Sequence, residues 1–188
     1  MNSYLKTKDY SVSGEDFELL YHDELDMLIT KPQPSDLDKY YHSETYISHS
    51  DSNKTLLDKI YQTVKKLSLY LKLRLIKRYA QDDKSLLDVG AGTGDFLFLA
   101  SQKGWTVAGV EPNWKARGKA SEKSITLSAD LESVMVRRYQ VITLWHVLEH
   151  MADLENQILK IMSILDEEGT IVVAVPNYRS YDAKYYGA

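Results

Sequence analysis

Three glycines at alternate positions form the stretch of this sequence best suited to binding a small ligand. Gly90, Gly92 and Gly94 follow the apolar run 86–89, Leu-Leu-Asp-Val, and precede Asp95. Glycine suits such a turn because the chain bends tightly there and because a ligand approaches the backbone with no Cβ between them. An apolar strand, a glycine turn and a helix in this order predict a ligand-binding turn of an α/β protein.

The spacing of the glycines also discriminates between ligands. Dinucleotide-binding folds use G-x-G-x-x-G, and a pyrophosphate lies on the N-terminus of the helix that follows. This chain has G-x-G-x-G, with Asp95 where a carboxylate would repel a phosphate and Asp88 at the end of the preceding strand. The turn therefore favours a ligand with a cationic amine and no phosphate. S-adenosylmethionine (SAM), with its amino-acid end and its sulfonium, meets that description.

Two more carboxylates follow the next two strands that we predict. Glu111 comes directly after the run 106–110, and Asp130 follows the run 125–127. The carboxyl ends of parallel strands meet at the edge of the sheet where such folds bind ligands. A carboxylate at Glu111 can accept both hydroxyls of a ribose, and Asp130 can accept an adenine amine. Together with Asp88, these acids predict a binding site at that edge.

A second group of chemically active residues follows the fourth predicted strand. His146, Glu149 and His150 stand at positions i, i+3 and i+4, so that on a helix they share one face. Three roles fit this set: His146 as a general base, a divalent-metal site, or scaffolding in which Glu149 and His150 cap backbone groups or each other. Because no fourth ligand is evident, we predict no metal site.

The elements that position these residues alternate between strand and helix from Ser85 onward. This order predicts an α/β fold, a Rossmann-like parallel sheet of five strands with helices on both faces. The predicted strands are 86–89, 106–110, 125–127, 139–144 and 170–175, and the predicted helices are 95–102, 114–121 and 154–165.

A long amphipathic helix and an N-terminal appendage precede this domain. The helix is predicted over about 54–80 with Asp51, Ser52 or Asn53 as its N-cap. Two apolar stripes predict that its second half is buried on two sides. The first stripe is Leu56, Ile60, Val64, Leu67, Leu71 and Leu75, and the second is Leu69, Leu73 and Ile76.

Short strands over 17–21 and 27–30 predict a hairpin in the appendage. The predicted divisions of the chain are 1–52 for the appendage, 53–80 for the long helix and 81–188 for the Rossmann-like domain. Tyr40, Tyr41 and Tyr46 either pack against the helix or close over the cofactor, and packing is the favoured interpretation.

The composition limits the protein class. The 188 residues carry a formal net charge of −4, which argues against a general nucleic-acid binder. The absence of cysteine excludes disulfides and thiolate zinc sites, and it agrees with a cytoplasmic location. The sequence starts without a signal-peptide pattern, and its apolar runs are too short to span a membrane.

In their order, the motifs resemble those of class I (Rossmann-like) SAM-dependent methyltransferases. The nearest branch is the small-molecule one that includes ubiquinone-biosynthesis-type O-methyltransferases. The resemblance covers about residues 85–177, and the stretches that carry it are LLDVGAGTGDFL, VAGVEPN, SADLE, VITLWHVLEHM and GTIVVAVPN.

The resemblance implies a role for each matching residue. It implies that the three glycines line the methionine end of SAM and that the remaining residues surround the amine, the sugar, the base and the methyl group. Those residues are Asp88 at the amine, Glu111 with Pro112 at the ribose, Asp130 with Leu131 at the adenine edge, and Trp145 with His146 beside the methyl donor. His146 is the candidate base, and S-adenosylhomocysteine (SAH) is the implied product.

Family members usually close the sheet with two further strands, one of them antiparallel. Only eleven residues follow Asn177, so we predict a C-terminally truncated domain. An exposed sheet edge, or the second stripe of the long helix, then predicts a homo-oligomer. Relatives with this layout often start with a cysteine-rich zinc hairpin, but residues 10–30 contain no cysteine.

The sequence thus predicts a methyltransferase that acts on oxygen, nitrogen or carbon of an unidentified small molecule. The alternative is a catalytically inactive cofactor-binding or regulatory module of the same fold. A nicotinamide-dependent oxidoreductase is disfavoured by the glycine spacing and by Asp95.

Overall fold

The structure is a computed structural model that describes residues 1–10, 12–34, 56–80 and 84–186. The chain divides into two compact units, one of Met1–Asp51 with Pro176–Ala188 and one of Ser52–Val175. The segment 176–188 therefore belongs to the unit that contains the N-terminus.

The first unit is built on a three-stranded antiparallel sheet in the order β1-β2-β3. Its strands are β1 (Asn2–Lys8), β2 (Asp16–His22) and β3 (Met27–Lys31). The pairing of β2 with β3 confirms the predicted hairpin. Strand β1 was not among the predicted strands, because its residues mix lysine with polar and apolar side chains and give no clean alternation.

The C-terminal segment is tied to the hairpin through Asp26. One oxygen of this carboxylate, Oδ1, accepts hydrogen bonds from the Tyr21 hydroxyl at 2.8 Å, the Tyr178 hydroxyl at 2.6 Å and Nη2 of Arg179 at 2.6 Å. The Tyr178 ring also packs edge-on against Tyr4, with 5.8 Å between centroids. A short helix, α5 (Tyr181–Tyr186), follows.

The second unit contains a parallel four-stranded sheet in the order β5-β4-β6-β7. Helices cover both of its faces, which confirms the predicted Rossmann-like α/β fold. In chain order the elements are α1 (Leu56–Ile76), β4 (Ser85–Val89), α2 (Asp95–Ser101), β5 (Thr106–Val110), α3 (Trp114–Ser121), β6 (Tyr139–Trp145), α4 (Leu154–Ser163) and β7 (Leu165–Ala174), with 3-10 turns at Glu132–Val134 and Leu148–His150.

The central strands β4 and β6 are buried along nearly their whole length and are mostly apolar, because both faces of the sheet are covered. On one face, Leu86 and Val141 pack against α1, α2 and α3 in a cluster that includes Leu73, Phe96 and Ala120. On the other face, the cluster joins β4 and β6 to α4. Its buried members are Leu87, Val89, Val110, Leu131, Val134, Tyr139, Ile142, Leu144, Ile161 and Ile164.

Only one of the two apolar stripes of α1 lies in the core. Leu73 and Ile76 are fully buried and Leu69 packs beside them. The first stripe faces outward, with Ile60, Val64, Leu67 and Leu71 between 52 and 59% exposed. The prediction that the helix is buried on two sides is therefore wrong, and the second stripe lies in the core of this chain. The N-cap candidates Asp51, Ser52 and Asn53 lie outside the described residues.

The predicted third strand over 125–127 does not form. A single parallel bridge joins Val110 to Ser128, and Ile125 and Leu127 instead bury their side chains in the core. Ser128 makes the hydrogen bonds of this bridge: its amide donates to the Gly109 carbonyl and its carbonyl accepts from the Glu111 amide, each at 2.9 Å. The described sheet therefore has four strands, although residue 128 lies beside β5 where the fifth was expected.

The order of the strands defines a switch point between β4 and β6. Connections from these neighbouring strands leave in opposite directions, which opens a crevice beyond their carboxyl ends. Val89 and Trp145 stand at those ends.

Within the described ranges, no helix has the length and apolar character that a membrane span requires.

Candidate functional site

The glycine turn lies at the end of β4, as predicted, and its backbone requires glycine. Gly90, Gly92 and Gly94 have φ angles of 72°, 54° and 73°, which side chains with a Cβ rarely adopt. The amides of Gly90 and Ala91 donate to the Val110 carbonyl at 2.8 and 2.9 Å. These two bonds hold the turn against the end of β5.

The three glycines differ in what surrounds them. A Cβ on Gly90 would meet a methyl of Val147 at 2.3 Å, and a Cβ on Gly94 would meet the Ala120 methyl at 2.9 Å. A Cβ on Gly92 would have no protein atom within 4 Å. Gly90 and Gly94 therefore allow close packing of the protein on itself, and Gly92 alone borders open space.

Glu111 connects the glycine turn to β5. Its Oε2 accepts a hydrogen bond from the Gly92 amide at 2.8 Å, and its Oε1 accepts one from the Asn113 amide at 2.9 Å. An ionised carboxylate has about four acceptor positions, so each oxygen can accept one more hydrogen bond. Glu111 is thus held in place by the backbone and keeps capacity for a diol.

The segment after Glu111 is fixed by Asn113 and Arg117. The Asn113 side chain caps α3 by accepting from the amides of Lys115 and Ala116 at 2.9 and 3.2 Å. Arg117 Nη1 folds back to donate to the carbonyls of Glu111 at 2.7 Å and Pro112 at 2.6 Å. Pro112 is exposed, and its contribution to a site is limited to the shape of this loop.

Asp130 and Leu131 differ in exposure. Asp130 is at the surface, where its Oδ1 accepts from the hydroxyl of Ser133 at 2.7 Å and from the amide of Ser133 at 2.9 Å. The hydroxyl contact, followed by the amide contact, lowers the pKa of Asp130. Leu131 is buried in the core on the α4 face. Asp130 therefore bonds to Ser133 of the following 3-10 turn, and the Leu131 side chain is buried.

Asp95 does not act as a bare negative charge at the start of α2. Lys65 of α1 lies 2.7 Å from its Oδ2, and Lys123 lies 2.6 Å from its Oδ1. Burial acts to raise the pKa of Asp95, but the hydrogen bonds of Lys123 and Lys65 outweigh it and the pKa is lowered. Two cations neutralise this carboxylate, so the sequence argument that Asp95 repels a phosphate is wrong. The glycine spacing alone still argues against a dinucleotide.

Asp88 is a buried carboxylate, 3% exposed, at the carboxyl end of β4. Its Oδ1 accepts a hydrogen bond from the Thr143 hydroxyl at 2.6 Å. Burial raises the pKa of Asp88 to about 7, although the Thr143 bond and the nearby Lys72 ammonium oppose this rise. Part of the Asp88 population is therefore neutral near pH 7, and a cation brought to it would favour the ionised form.

Lys72 contacts Trp145 and interacts electrostatically with Asp88. The Lys72 Nζ lies 4.5 Å from the centre of the Trp145 ring, a cation–π distance. Burial lowers the pKa of Lys72, and the Asp88 charge opposes that effect. The Trp145 ring packs edge-on against Phe96 at 6.0 Å, and its buried Nε1 makes no hydrogen bond within the described part of the chain. An unpaired buried donor costs about 1–3 kcal/mol.

His146 begins the turn after β6 in a strained conformation. Its φ is 57°, its amide donates to the Ala174 carbonyl at 2.8 Å, and its side chain is 64% exposed. The Nδ1 atom lies 3.7 Å from Glu149 Oε1. Glu149 and His150 belong to a 3-10 turn, so His146, Glu149 and His150 do not share the face of an α-helix. Among the described residues, no group of three or more histidine or acidic side chains is placed to hold a metal ion.

Sequence reasoning missed Thr143 and the three lysines of the site. The role of Thr143 could have been predicted, because parallel pairing of the predicted strands puts it beside Asp88. Lys65, Lys72 and Lys123 lie on helical or turn segments far from the motifs, and only the packing of α1 and α3 brings them to Asp88 and Asp95. Tyr40, Tyr41 and Tyr46 lie outside the described residues.

A protein-family comparison identifies most of the chain. Residues 57–187 match the family model described as "Methyltransferase domain". A search of the curated proteins found no significant match.

Solved structures with the same fold include several methyltransferases. A magnesium protoporphyrin IX methyltransferase from Synechocystis, crystallised with bound SAM, has a TM-score of 0.60 at 17% identity and aligns over 80% of this chain and 81% of its own. A SAM-dependent methyltransferase from Archaeoglobus fulgidus has a TM-score of 0.52 at 21% identity over 64% of this chain. A sugar N-methyltransferase from a Streptoalloteichus species has a TM-score of 0.51 at 21% identity over 67% of this chain.

At these identities the structures support the fold. The chain spans 57% of the Archaeoglobus protein and 56% of the Streptoalloteichus protein, which is less than two thirds of the length of either.

Proposed function

Because this chain belongs to the methyltransferase domain family, we propose that it transfers a methyl group from SAM to a small molecule. The structural observation that carries the proposal is the set of groups at the β4–β6 switch point. An open turn at Gly92, a backbone-anchored carboxylate at Glu111 and a buried carboxylate at Asp88 lie together there. Each matches a different part of SAM.

Each of these residues suits one chemical group of SAM. Asp88 suits the ammonium group, because a cation would restore the charge that burial disfavours. Gly92 provides the space in which the amino-acid end can approach the backbone. Glu111 retains the acceptor positions for two ribose hydroxyls. Gly90 and Gly94 support the turn through packing, so their role is to shape it.

The adenine ring is proposed to lie beside Asp130 and Leu131. Asp130 reaches an adenine amine through the oxygen that Ser133 does not bond, Oδ2, while Leu131 offers only its backbone. Pro112 shapes the loop that carries Glu111. Trp145 and His146 lie where the methyl group is expected, at the end of β6.

SAM, when bound, supplies an electrophilic methyl group on a sulfonium. Displacement at such a group depends on positioning of the acceptor and on removal of its proton. His146 is the candidate base, since its imidazole is exposed at the end of β6 and Glu149 Oε1 lies 3.7 Å from its Nδ1. A base role also gives a reason for the strained backbone at this residue.

The acceptor is proposed as a small molecule, with oxygen, nitrogen or carbon as the methylated atom. We also propose, from the sequence, that the protein belongs to the ubiquinone-type O-methyltransferase branch and that it is located in the cytoplasm. Nothing in the described part of the chain favours the alternative of an inactive module.

Calorimetry with SAH tests this function, and NADH serves as the competing ligand. We expect SAH to bind and NADH not to bind. Glu111→Ala should weaken SAH binding by about 1.5 to 3 kcal/mol, the range for charge-assisted hydrogen bonds. Glu122→Ala, which removes a carboxylate just beyond α3, is the matched control. An unchanged Kd for a folded Glu111→Ala variant would remove Glu111 from the site, and absence of SAH binding to the native chain would refute the function.

A further inference from the structure

An open groove runs between the outward stripe of α1 and the end of β6. Its walls are Val64, Leu67, Ser68, Leu71, Lys72, Leu75 and Trp145. The groove has a volume of about 360 Å³, within the range of small-ligand sites and small for a protein partner. Leu67 and Leu71 are more than half exposed along it. Solvated leucines in a concave surface favour an apolar occupant.

The groove adjoins the place where the methyl group is expected. Trp145 is shared by the groove and the β4–β6 switch point, because it is the last residue of β6. Lys72 is likewise shared, since its ammonium lies over the Trp145 ring and interacts electrostatically with Asp88. A molecule in the groove would therefore lie beside the groups assigned to SAM, as an acceptor must.

Lys72 is the only charged side chain among the described walls of the groove. The acid near it, Asp88, is already hydrogen-bonded to Thr143 and is partly neutral near pH 7. Burial of the Lys72 ammonium lowers its pKa, which reflects a cation that lacks full compensation. An anionic group in the groove would supply the missing charge.

We propose that this groove binds the methyl acceptor, and that the acceptor is an apolar molecule with one anionic group that pairs with Lys72. The proposal rests on the proposed methyltransferase function and adds to it the site and the chemical class of the acceptor. The apolar body lies along Leu67, Leu71 and Trp145, and the anion lies beside Lys72.

Three probes of one shape test the charge preference: naphthoate, naphthylmethanol and naphthylmethylamine. Calorimetric titrations into the full chain, with and without SAH, should give naphthoate a Kd about tenfold lower than that of the alcohol. The amine should bind most weakly. Lys72→Met, which keeps the apolar stem, should remove the advantage of naphthoate and leave the alcohol unchanged.

Two further variants separate the groove from general surface effects. Lys66→Met removes an exposed cation from the same helix outside the groove and should change none of the affinities. Leu71→Ser should weaken naphthoate and the alcohol together by about threefold, because it removes apolar contact without removing charge.

Several outcomes would overturn the proposal. Equal affinities of naphthoate and the alcohol for the native chain would do so, as would a charge preference that survives Lys72→Met. If the native chain binds none of the probes and forms a dimer that dissociates in Leu71→Ser, the groove would be assigned to a second copy of the chain. If SAH fails to bind while the charge preference holds, the methyltransferase function fails and the ligand class of the groove stands. If SAH binds and the preference is absent, this inference fails alone.

Discussion

Asp88 and Asp95 are seven positions apart, yet their surroundings give them opposite electrostatic character. Asp88 has one hydroxyl donor and almost no solvent, so that its pKa rises to about 7. Asp95 contacts two lysine ammonium groups, so that its pKa falls. The sequence shows two acids flanking a glycine turn, and only the positions of Lys65 and Lys123 reveal which of them keeps its charge at neutral pH.

We predict that Asp88 lowers the stability of the protein as pH rises from about 4 to about 7. Its folded pKa of about 7 exceeds the unfolded value of 3.8, so the folded state binds more protons in that window. Asp88→Asn keeps an acceptor for Thr143 and does not titrate. Its free energy of unfolding, relative to the native chain, should therefore increase with pH through that window and level off above it. Urea denaturation at a series of pH values measures this.

We expect Asp95→Asn to change the pH dependence of stability in the direction opposite to Asp88→Asn. The folded pKa of Asp95 is lowered, so its contribution is present above the unfolded pKa of 3.8 and is lost as pH falls through the folded value. This variant should be less stable than the native chain at neutral pH, by an amount that shrinks in acid. Parallel stability curves for Asp88→Asn and the native chain would contradict the assignment of a raised pKa to Asp88.

At the scale of elements, the sequence predicted β4, α2, β5, α3 and β6 to within one residue at each end. These elements have buried apolar runs or clear caps, so local pattern and tertiary packing agree. The prediction for α1 failed because two apolar stripes on this helix could each have faced the core. Both stripes of α1 are apolar, and nothing local distinguishes Leu73, which faces the core, from Leu71, which faces the groove.

The glycine turn could be predicted as a unit but not position by position. All three residues need a positive φ, and the sequence cannot show which of them abuts Val147 or Ala120. That information lies in how the 3-10 turn after β6 and helix α3 pack on the turn. The same limit applies to Glu111, whose anchoring by the Gly92 amide depends on the pairing of β4 with β5.

We predict that Gly92→Ala and Gly94→Ala separate ligand binding from stability. Both variants carry the strain of a Cβ at positive φ, about 1 kcal/mol. A difference in stability between them therefore reports what surrounds the added Cβ. Gly94→Ala adds a contact of 2.9 Å with Ala120 and should lower the melting temperature further. Gly92→Ala adds no protein contact and should instead weaken SAH binding strongly relative to its loss of stability.

Thermal unfolding and SAH calorimetry on both variants measure these two effects. Gly118→Ala, a change at a helical glycine with no atom near the added Cβ, is the control for substitution without strain. If Gly92→Ala bound SAH like the native chain, the open space at Gly92 would not be part of the cofactor site.

At the scale of the whole molecule, the chain forms its units from segments that are distant in sequence. Tyr178 and Arg179 bond to Asp26 across 152 and 153 positions, which places residues 176–188 with the N-terminal strands. Sequence patterns describe neighbours along the chain, and a contact of this range leaves no periodic trace. The fold class could be predicted because strand–helix alternation repeats locally, whereas the division into units could not.

The described sheet ends at β7, and this edge carries the last prediction. β7 pairs only with β6 among the described strands, and Val173 and Val175 are 43 and 47% exposed. An apolar strand with an open edge pairs readily with another chain. We predict that the 188-residue chain self-associates through β7, and that Val173→Lys increases the monomer fraction because a charged side chain disfavours edge pairing. Val136→Lys, which changes a valine that is 87% exposed outside the strands, should leave association unchanged. Size-exclusion chromatography with light scattering over a wide concentration range decides the matter, and a native chain that stays monomeric throughout would rule out pairing at β7.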